Sequence, residues 1–270
     1  GDRTFPQFVG LASLRMDGGE VVGNVFGGGN MASILGGNDV IVSGGKIGMT
    51  DEYDGALYGG NDRSGQVGQI SNRVFPAGYD IASDGYTSLS EVNTYVSLTG
   101  KPDINTVYGG GNGDYDYVNG DDVIPAGDYC SYDDQDQFND KPIQTNTFVD
   151  INITGNNNDG TNGGHINTVY GGGNGVTVTG SITVFLNVKD PLAYDQVGTI
   201  FGGNNKDNVV ETENVPLVPD IILLHGQVGT VYGGCNKGAM TTGKNFNIGG
   251  KTYYNVGSMV RLRSSYQATP

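Results

Sequence analysis

The sequence predicts an all-β fold: one single-stranded parallel β-helix, a solenoid of repeats about 31 residues long, with long loops inserted at one corner. Three observations predict it. A line of nine residues, Asn-Thr-Val-Tyr-Gly-Gly-Gly-Asn-Gly, is written at Asn105–Gly113 and again at Asn167–Gly175. Degenerate copies surround Phe26, Tyr58, Phe201 and Tyr232, and the first glycine of each copy falls at 27, 59, 109, 171, 202 and 233. Between copies, apolar residues alternate with polar ones at period two, and no stretch carries helical spacing with capping residues.

Successive copies lie 32, 50, 62, 31 and 31 residues apart, so three gaps match one period and two contain a period plus an insertion. Each copy reads hydrophobic-x-x-hydrophobic-aromatic-Gly-Gly-x-Asn. The first position is Val22, Ile104, Ile166, Val197 or Val228, and the second is Val25, Val107, Val169, Ile200 or Val231. The glycine pair and its asparagine read as a corner turned through positive φ, where glycine has no Cβ penalty and asparagine is the best tolerated of the rest. A second strand follows each corner: Val40-x-Val42, Val96-x-Leu98, Val149-x-Ile151-x-Ile153, Ile182-x-Val184-x-Leu186-x-Val188 and Met259–Leu262.

One such repeat cannot bury its apolar face alone. Parallel stacking at about 4.8 Å solves this by laying like on like. It predicts a structural column of rings from Phe26, Tyr58, Tyr108, Tyr170, Phe201 and Tyr232, and a column of amides from Asn30, Asn112, Asn174, Asn205 and Asn236. Tandem β-hairpins are the competing arrangement, but they need short turns between their strands, and these corners recur only once per repeat. Residues 1–270 form one repeat domain in this reading, with insertion loops at about 63–90 and 113–145 that open at the same corner. Loops on one side of a solenoid commonly form its binding face.

Composition narrows the function. Fourteen basic residues against 29 acidic ones give a net charge of −15 and a pI near 4.2. A nucleic-acid partner needs a basic footprint that this balance lacks, and an anionic membrane surface offers it no attraction. No apolar run approaches the ~18 residues that cross a bilayer, so no membrane insertion of this segment is expected. Two cysteines, Cys130 and Cys235, are too few for a disulfide scaffold or a zinc site and read as two thiols, with a bridge between them as the alternative. The chain opens at Gly1 without methionine and reads as a segment of something longer, with no export signal of its own.

The Val-Tyr-Gly-Gly-Gly-Asn lines at 107–112 and 169–174, with their degenerate copies from Val22 to Asn236, resemble repeats in large exported surface proteins of gut Bacteroidetes. Those proteins are adhesin-like and pectin-lyase-like in architecture. The resemblance implies a right-handed parallel β-helix, a bacterial source, export, and an extracellular or cell-surface setting. It is specific for architecture and weak for function, because fold does not fix function.

The strongest local anomaly is the acidic stretch from Gly113 to Lys141, in which Tyr115, Tyr117, Tyr129 and Tyr132 interleave with aspartates. Flat apolar rings beside carboxylates suit sugar recognition, so these four tyrosines are the candidate ligand-binding residues. Asp114, Asp116, Asn119, Asp121 and Asp122 supply the oxygens a calcium ion takes, although the spacing departs from an EF-hand and the closing Glu is missing. A solvated acidic loop is the plainer reading, and no cofactor beyond that calcium is expected.

Catalysis is the main alternative. Asn119-Gly-Asp121-Asp122 and Gly164-His165 faintly match elements of polygalacturonases, but the Arg-Ile-Lys element is absent and His165 immediately precedes the core position Ile166. An anionic polyuronate would also meet a strongly acidic protein. No catalytic residue is assigned. The expected function is therefore a non-catalytic, adhesin-like segment that presents loops for glycan or cell-surface contact. A polysaccharide lyase or glycoside hydrolase is the first alternative and a purely structural stalk the second.

Overall fold

The computed structural model describes residues 7–8, 10–30, 32–50, 54–63, 65–79, 91–114, 117–119, 122–124, 146–154, 163–176, 178–188, 196–206, 218–240, 243–248 and 250–262. These residues hold strands and turns and no helix. In chain order the strands are β1 (Gln7–Phe8), β2 (Ala12–Val21), β3 (Val25–Phe26), β4 (Ser33–Ile34), β5 (Asn38–Ile47) and β6 (Ala56–Tyr58). Next come β7 (Thr94–Tyr108), β8 (Tyr117–Asn119), β9 (Asp122–Ile124), β10 (Thr147–Ile153), β11 (His165–Tyr170) and β12 (Ile182–Asn187). The last are β13 (Val197–Phe201), β14 (Asp220–His225), β15 (Val228–Tyr232), β16 (Lys244–Ile248), β17 (Lys251–Val256) and β18 (Met259–Leu262).

Twelve of these strands make one large, curled parallel sheet with two ladders. The first ladder runs β2-β5-β7-β10-β12-β14-β18 and the second runs β3-β6-β7-β11-β13-β15. The chain therefore visits each ladder once per repeat, which is consistent with a parallel solenoid. β7 is 15 residues long and serves both ladders, the first with Thr94–Gly100 and the second with Asp103–Tyr108.

Like lies on like throughout. In the first ladder Leu14, Val40, Val96, Val149, Val184, Ile221 and Val260 form one column, and Met16, Val42, Leu98, Ile151, Leu186, Leu223 and Leu262 form the next. In the second ladder Leu57, Val107, Val169, Ile200 and Val231 stack in register. The two ladders turn these columns toward each other, and most of their middle members are wholly buried in one apolar core. Alternation at period two puts every second side chain inside, so each repeat supplies one layer of that core.

Two expectations are corrected by the geometry. The glycine pairs do not turn through positive φ: Gly27, Gly28, Gly59, Gly60, Gly109, Gly171, Gly202 and Gly233 are absent from the positive-φ residues, and among the repeated lines only Gly175 is one of them. Close approach is the reason for glycine here. A Cβ on Gly59 would strike the Gly109 carbonyl of the next level and the Val96 side chain, and one on Gly109 would strike the Gly171 carbonyl. The second correction is one of register. Val21, not Val22, pairs with Ile47, which in turn pairs with Ile104, while Val22 is 47% exposed. An extra residue between Val21 and Val25 hides this position from a fixed-offset alignment.

Part of the first insertion packs down on the sheet. The outer side of the first ladder carries Tyr95, Phe148, Phe185 and Ile222, and residues Ile70, Phe75 and Tyr79 cover them. Phe75 and Tyr79 meet Phe148 at ring-centroid distances of 5.2 and 4.9 Å. Exposed rings on an outer face need such a cover to leave water. In the second insertion β8 and β9 pair as an antiparallel hairpin.

Candidate functional site

The repeated corner is built from three interlocked columns. Rings of Phe26, Tyr58, Tyr108, Tyr170, Phe201 and Tyr232 stack nearly face to face, with centroid spacings of 4.8, 4.7, 4.9, 4.8 and 4.7 Å and interplanar angles of 5 to 11°. The spacing equals the distance between hydrogen-bonded strands, so it is imposed by the backbone ladder rather than chosen by the rings.

Four residues beyond each ring runs the amide column. Asn174 Nδ2 donates to Asn112 Oδ1 at 3.0 Å, Asn205 to Asn174 at 2.9 Å, and Asn236 to Asn205 at 2.9 Å. The column begins at Asp62, which accepts from Asn112 Nδ2 at 3.2 Å, whereas Asn30 is exposed and stands outside the bonded run. Three of these amides also reach the ring column two levels back. Asn205 Nδ2 lies 3.2 Å from the Tyr108 hydroxyl oxygen, Asn236 Nδ2 lies 3.4 Å from that of Tyr170, and Asn174 Nδ2 lies 3.5 Å from that of Tyr58. Burial pushes the Tyr58, Tyr108 and Tyr170 hydroxyls above their ordinary pKa, and the amide donors only partly offset it.

The third column sits in the slot between glycine pair and asparagine. Where that slot holds asparagine, its side chain folds inward on the level before. Asn204 Oδ1 accepts from the Gly173 N–H at 2.9 Å and its Nδ2 donates to the Val176 carbonyl at 2.9 Å. Asn61 does the same for the Gly29 N–H and the Ala32 carbonyl, both at 3.0 Å. Cys235 takes this slot in a later copy, and its Sγ accepts from the Asn204 N–H at 3.3 Å. Inside the core, Thr94 and Thr147 donate to the Gly109 and Gly171 carbonyls at 2.6 and 2.8 Å, and Asn38 Nδ2 donates to that of Gly59 at 3.0 Å. The signals for these residues were an Asn/Gly/Cys alternation in one slot and a Thr-aromatic-Val triplet at 94–96 and 147–149.

A second polar cluster lies beneath the covering segment. The Arg73 guanidinium stands 3.5 Å from the centroid of the Tyr95 ring and pairs with Asp39 at 3.0 Å. The Tyr95 hydroxyl donates to Asp150 Oδ2 at 3.0 Å, while Asp150 Oδ1 is buried without a hydrogen bond. Burial pushes the Asp150 carboxyl up to about 6, against the opposing pull of Tyr95 and Arg73.

The candidate loop residues are placed less completely. Asp114 is ion-paired with Lys206, and its N–H is 3.3 Å from Asn112 Oδ1. Tyr117, Asn119 and Asp122 lie on the β8–β9 hairpin, described as backbone alone. Tyr115, Asp116, Asp121, Tyr129, Tyr132 and Cys130 lie outside the described residues. Among the described residues no group of three or more His, Cys, Asp or Glu side chains is gathered for a metal. His165 Nε2 is 2.6 Å from Asn167 Oδ1, on the outer side of the second ladder. Comparison with protein-family models, with curated proteins and with solved structures finds no match to this chain.

Proposed function

We propose that the chain is a non-catalytic segment of an exported bacterial surface protein, a complete right-handed parallel β-helix that carries loops for glycan or cell-surface contact. One observation carries the reading: the side chains of the repeated line are engaged with one another. Rings stack on rings, amides bond to amides, and inward asparagines bond to backbone. The repeats therefore act as scaffold, and recognition falls to the departures from the repeat. The largest departure leaves the corner beyond Asn112 and carries Tyr115, Tyr117, Tyr129 and Tyr132 among its aspartates. A glycan array with the whole chain tests this: a hit lost in Tyr115→Ala/Tyr117→Ala supports it, and a hit that survives removal of all four tyrosines sinks it.

A second reading, a carbohydrate-active enzyme of pectin-lyase-like architecture, is favoured by Asp150, whose raised pKa suits a proton donor near neutrality. Its hydrogen bond from the Tyr95 hydroxyl, beside the Arg73 guanidinium over that ring, fits a structural cluster better. Release of reducing or unsaturated sugars from any polysaccharide would establish the enzyme. A chain with neither activity is a stalk. Calcium remains part of the proposal only for the 114–122 carboxylates, and Lys206 already neutralises the first of them.

A further inference from the structure

Along the first ladder, hydrogen bonds join each strand only to the strand before it and the strand after it. Each level therefore holds its neighbours alone. A stack built this way can open level by level, losing one interface at a time.

Residues 66–79 cut across that order. The segment starts beside β4, where the Ile34 N–H donates to the Gln66 carbonyl at 2.8 Å and the Gly68 N–H to the Ile34 carbonyl at 2.6 Å. The Ile70 N–H then donates to the Val92 carbonyl at 2.8 Å, just ahead of β7. From there the chain runs over the strands rather than along them. Arg73 pairs with Asp39 of β5 and lies over the Tyr95 ring of β7. Phe75 meets Tyr95 and Phe148 of β10, at ring-centroid distances of 6.3 and 5.2 Å. A turn closed by the Tyr79 N–H on the Pro76 carbonyl brings Tyr79 back to Phe148, and at 6.0 Å it also meets Phe185 of β12. Gly78, at φ +91°, lays its backbone against β14, so that an added Cβ would stand 2.7 Å from Leu224 Cδ2.

One short segment thus touches β5, β7, β10, β12 and β14, which follow one another in the ladder. Its anchors are sunk, with Ile70 and Tyr79 buried, while Val74 between Arg73 and Phe75 is 83% exposed. We propose that residues 66–79 are a tie across the levels, which makes β5 to β14 open as one unit instead of level by level. Peeling β14 away pulls Leu224 from Gly78, and freeing β12 pulls Phe185 from Tyr79. Both contacts sit on a segment that Arg73 and Ile70 fasten to the far end of the same ladder. The first insertion then has a holding role, distinct from the recognition assigned to the second.

Native-state hydrogen exchange of the whole chain in low urea, read on peptides that cover β7 and β14, tests the tie. In the unaltered chain the two strands are expected to exchange in one event, with rates within about threefold and the same urea dependence. Phe75→Ala/Tyr79→Ala alters no residue of the sheet, and in it β14 is expected to exchange about tenfold or more faster than β7. Gly78→Ala gives a milder second variant, whose methyl meets Leu224 first. It is expected to speed β14 several-fold and leave β7 unchanged. An unaltered chain in which β14 already exchanges about tenfold faster than β7 overturns the proposal. So does equal acceleration of both strands in either variant, since a segment that only covers the sheet stabilises it without joining its levels.

Discussion

The Tyr95 hydroxyl donates to Asp150 Oδ2 at 3.0 Å, joining β7 to the neighbouring strand β10 on the outer side of the sheet. The bond sits under the covering segment, with Arg73 on the other side of the same ring. Three consequences of chemistry meet there: a half-buried carboxylate whose Oδ1 is covered, a phenol raised by burial, and a cation held over a ring.

Asp150 makes stability fall with rising pH. Its folded pKa lies above the ordinary 3.8, so the folded state holds the proton more tightly. The contribution is fully present below about pH 4 and is lost as pH rises through about 6. Asp150→Asn is therefore expected to stabilise the chain at pH 7 by about 1–3 kcal/mol and to have little effect at pH 4. Urea unfolding of both chains at the two pH values checks it, and a difference that does not change with pH refutes it.

Arg73 fastens the covering segment. Arg73→Ala removes the pair with Asp39 and leaves that largely buried carboxylate without its cation, at a cost of roughly 2–4 kcal/mol. Arg73→Lys restores the charge without the flat face over Tyr95, so it is expected to recover only part of the loss. Limited proteolysis should cut within 65–79 faster in both variants, and an unchanged cleavage rate would show that the apolar contacts alone hold the segment.

Asn204 and Asn236 have opposite fates despite adjacent slots in the line. Asn204→Ala orphans a buried N–H and a buried carbonyl of the previous level, costing on the order of 2–3 kcal/mol. Asn236 is an exposed end of its column, so Asn236→Ala is expected to cost under about 1 kcal/mol. Similar losses for the two in thermal melts would contradict the inward assignment of Asn204.

The glycines should rank by approach rather than by backbone angle. Gly172→Ala drives a methyl into the Asn204 side chain, whereas at Gly234 the nearest atom to an added Cβ is Met240 Cγ at 3.7 Å. Gly172→Ala is expected to destabilise by about 1–3 kcal/mol and Gly234→Ala by well under 1. Combining Gly172→Ala with Asn204→Gly should cost less than the sum of the two, since the clash and the side chain vanish together.

Calcium removal is expected to leave the melting midpoint unchanged, because Asp114 is already paired with Lys206. A midpoint lowered by EDTA and restored by Ca²⁺ would assign the ion to the 114–122 carboxylates instead.

Much of the architecture was legible because a parallel stack repeats its demands. A residue that must lie on its own kind in the next level recurs at a fixed interval, so Val107, Val169 and Ile200, or Tyr108, Tyr170 and Phe201, announce their columns in one dimension. Legibility failed where the demand was set by an atom in another level. Nothing in the Gly-Gly pairs themselves distinguishes a turn from a close approach; the Gly109 carbonyl above Gly59 decides it. The Val21 register was hidden by one extra residue that only strand pairing exposes.

The sequence by itself determined the period, the parallel ladders' contents and the corner's composition, since these follow from local alternation and repetition. Tertiary structure alone decided that 65–79 is a cover rather than a free loop, that Arg73 lies over the Tyr95 ring, and that the Tyr95 hydroxyl reaches Asp150 of the next strand. Those facts join residues with no shared place in the repeat, and their contacts exist only once distant levels are set side by side.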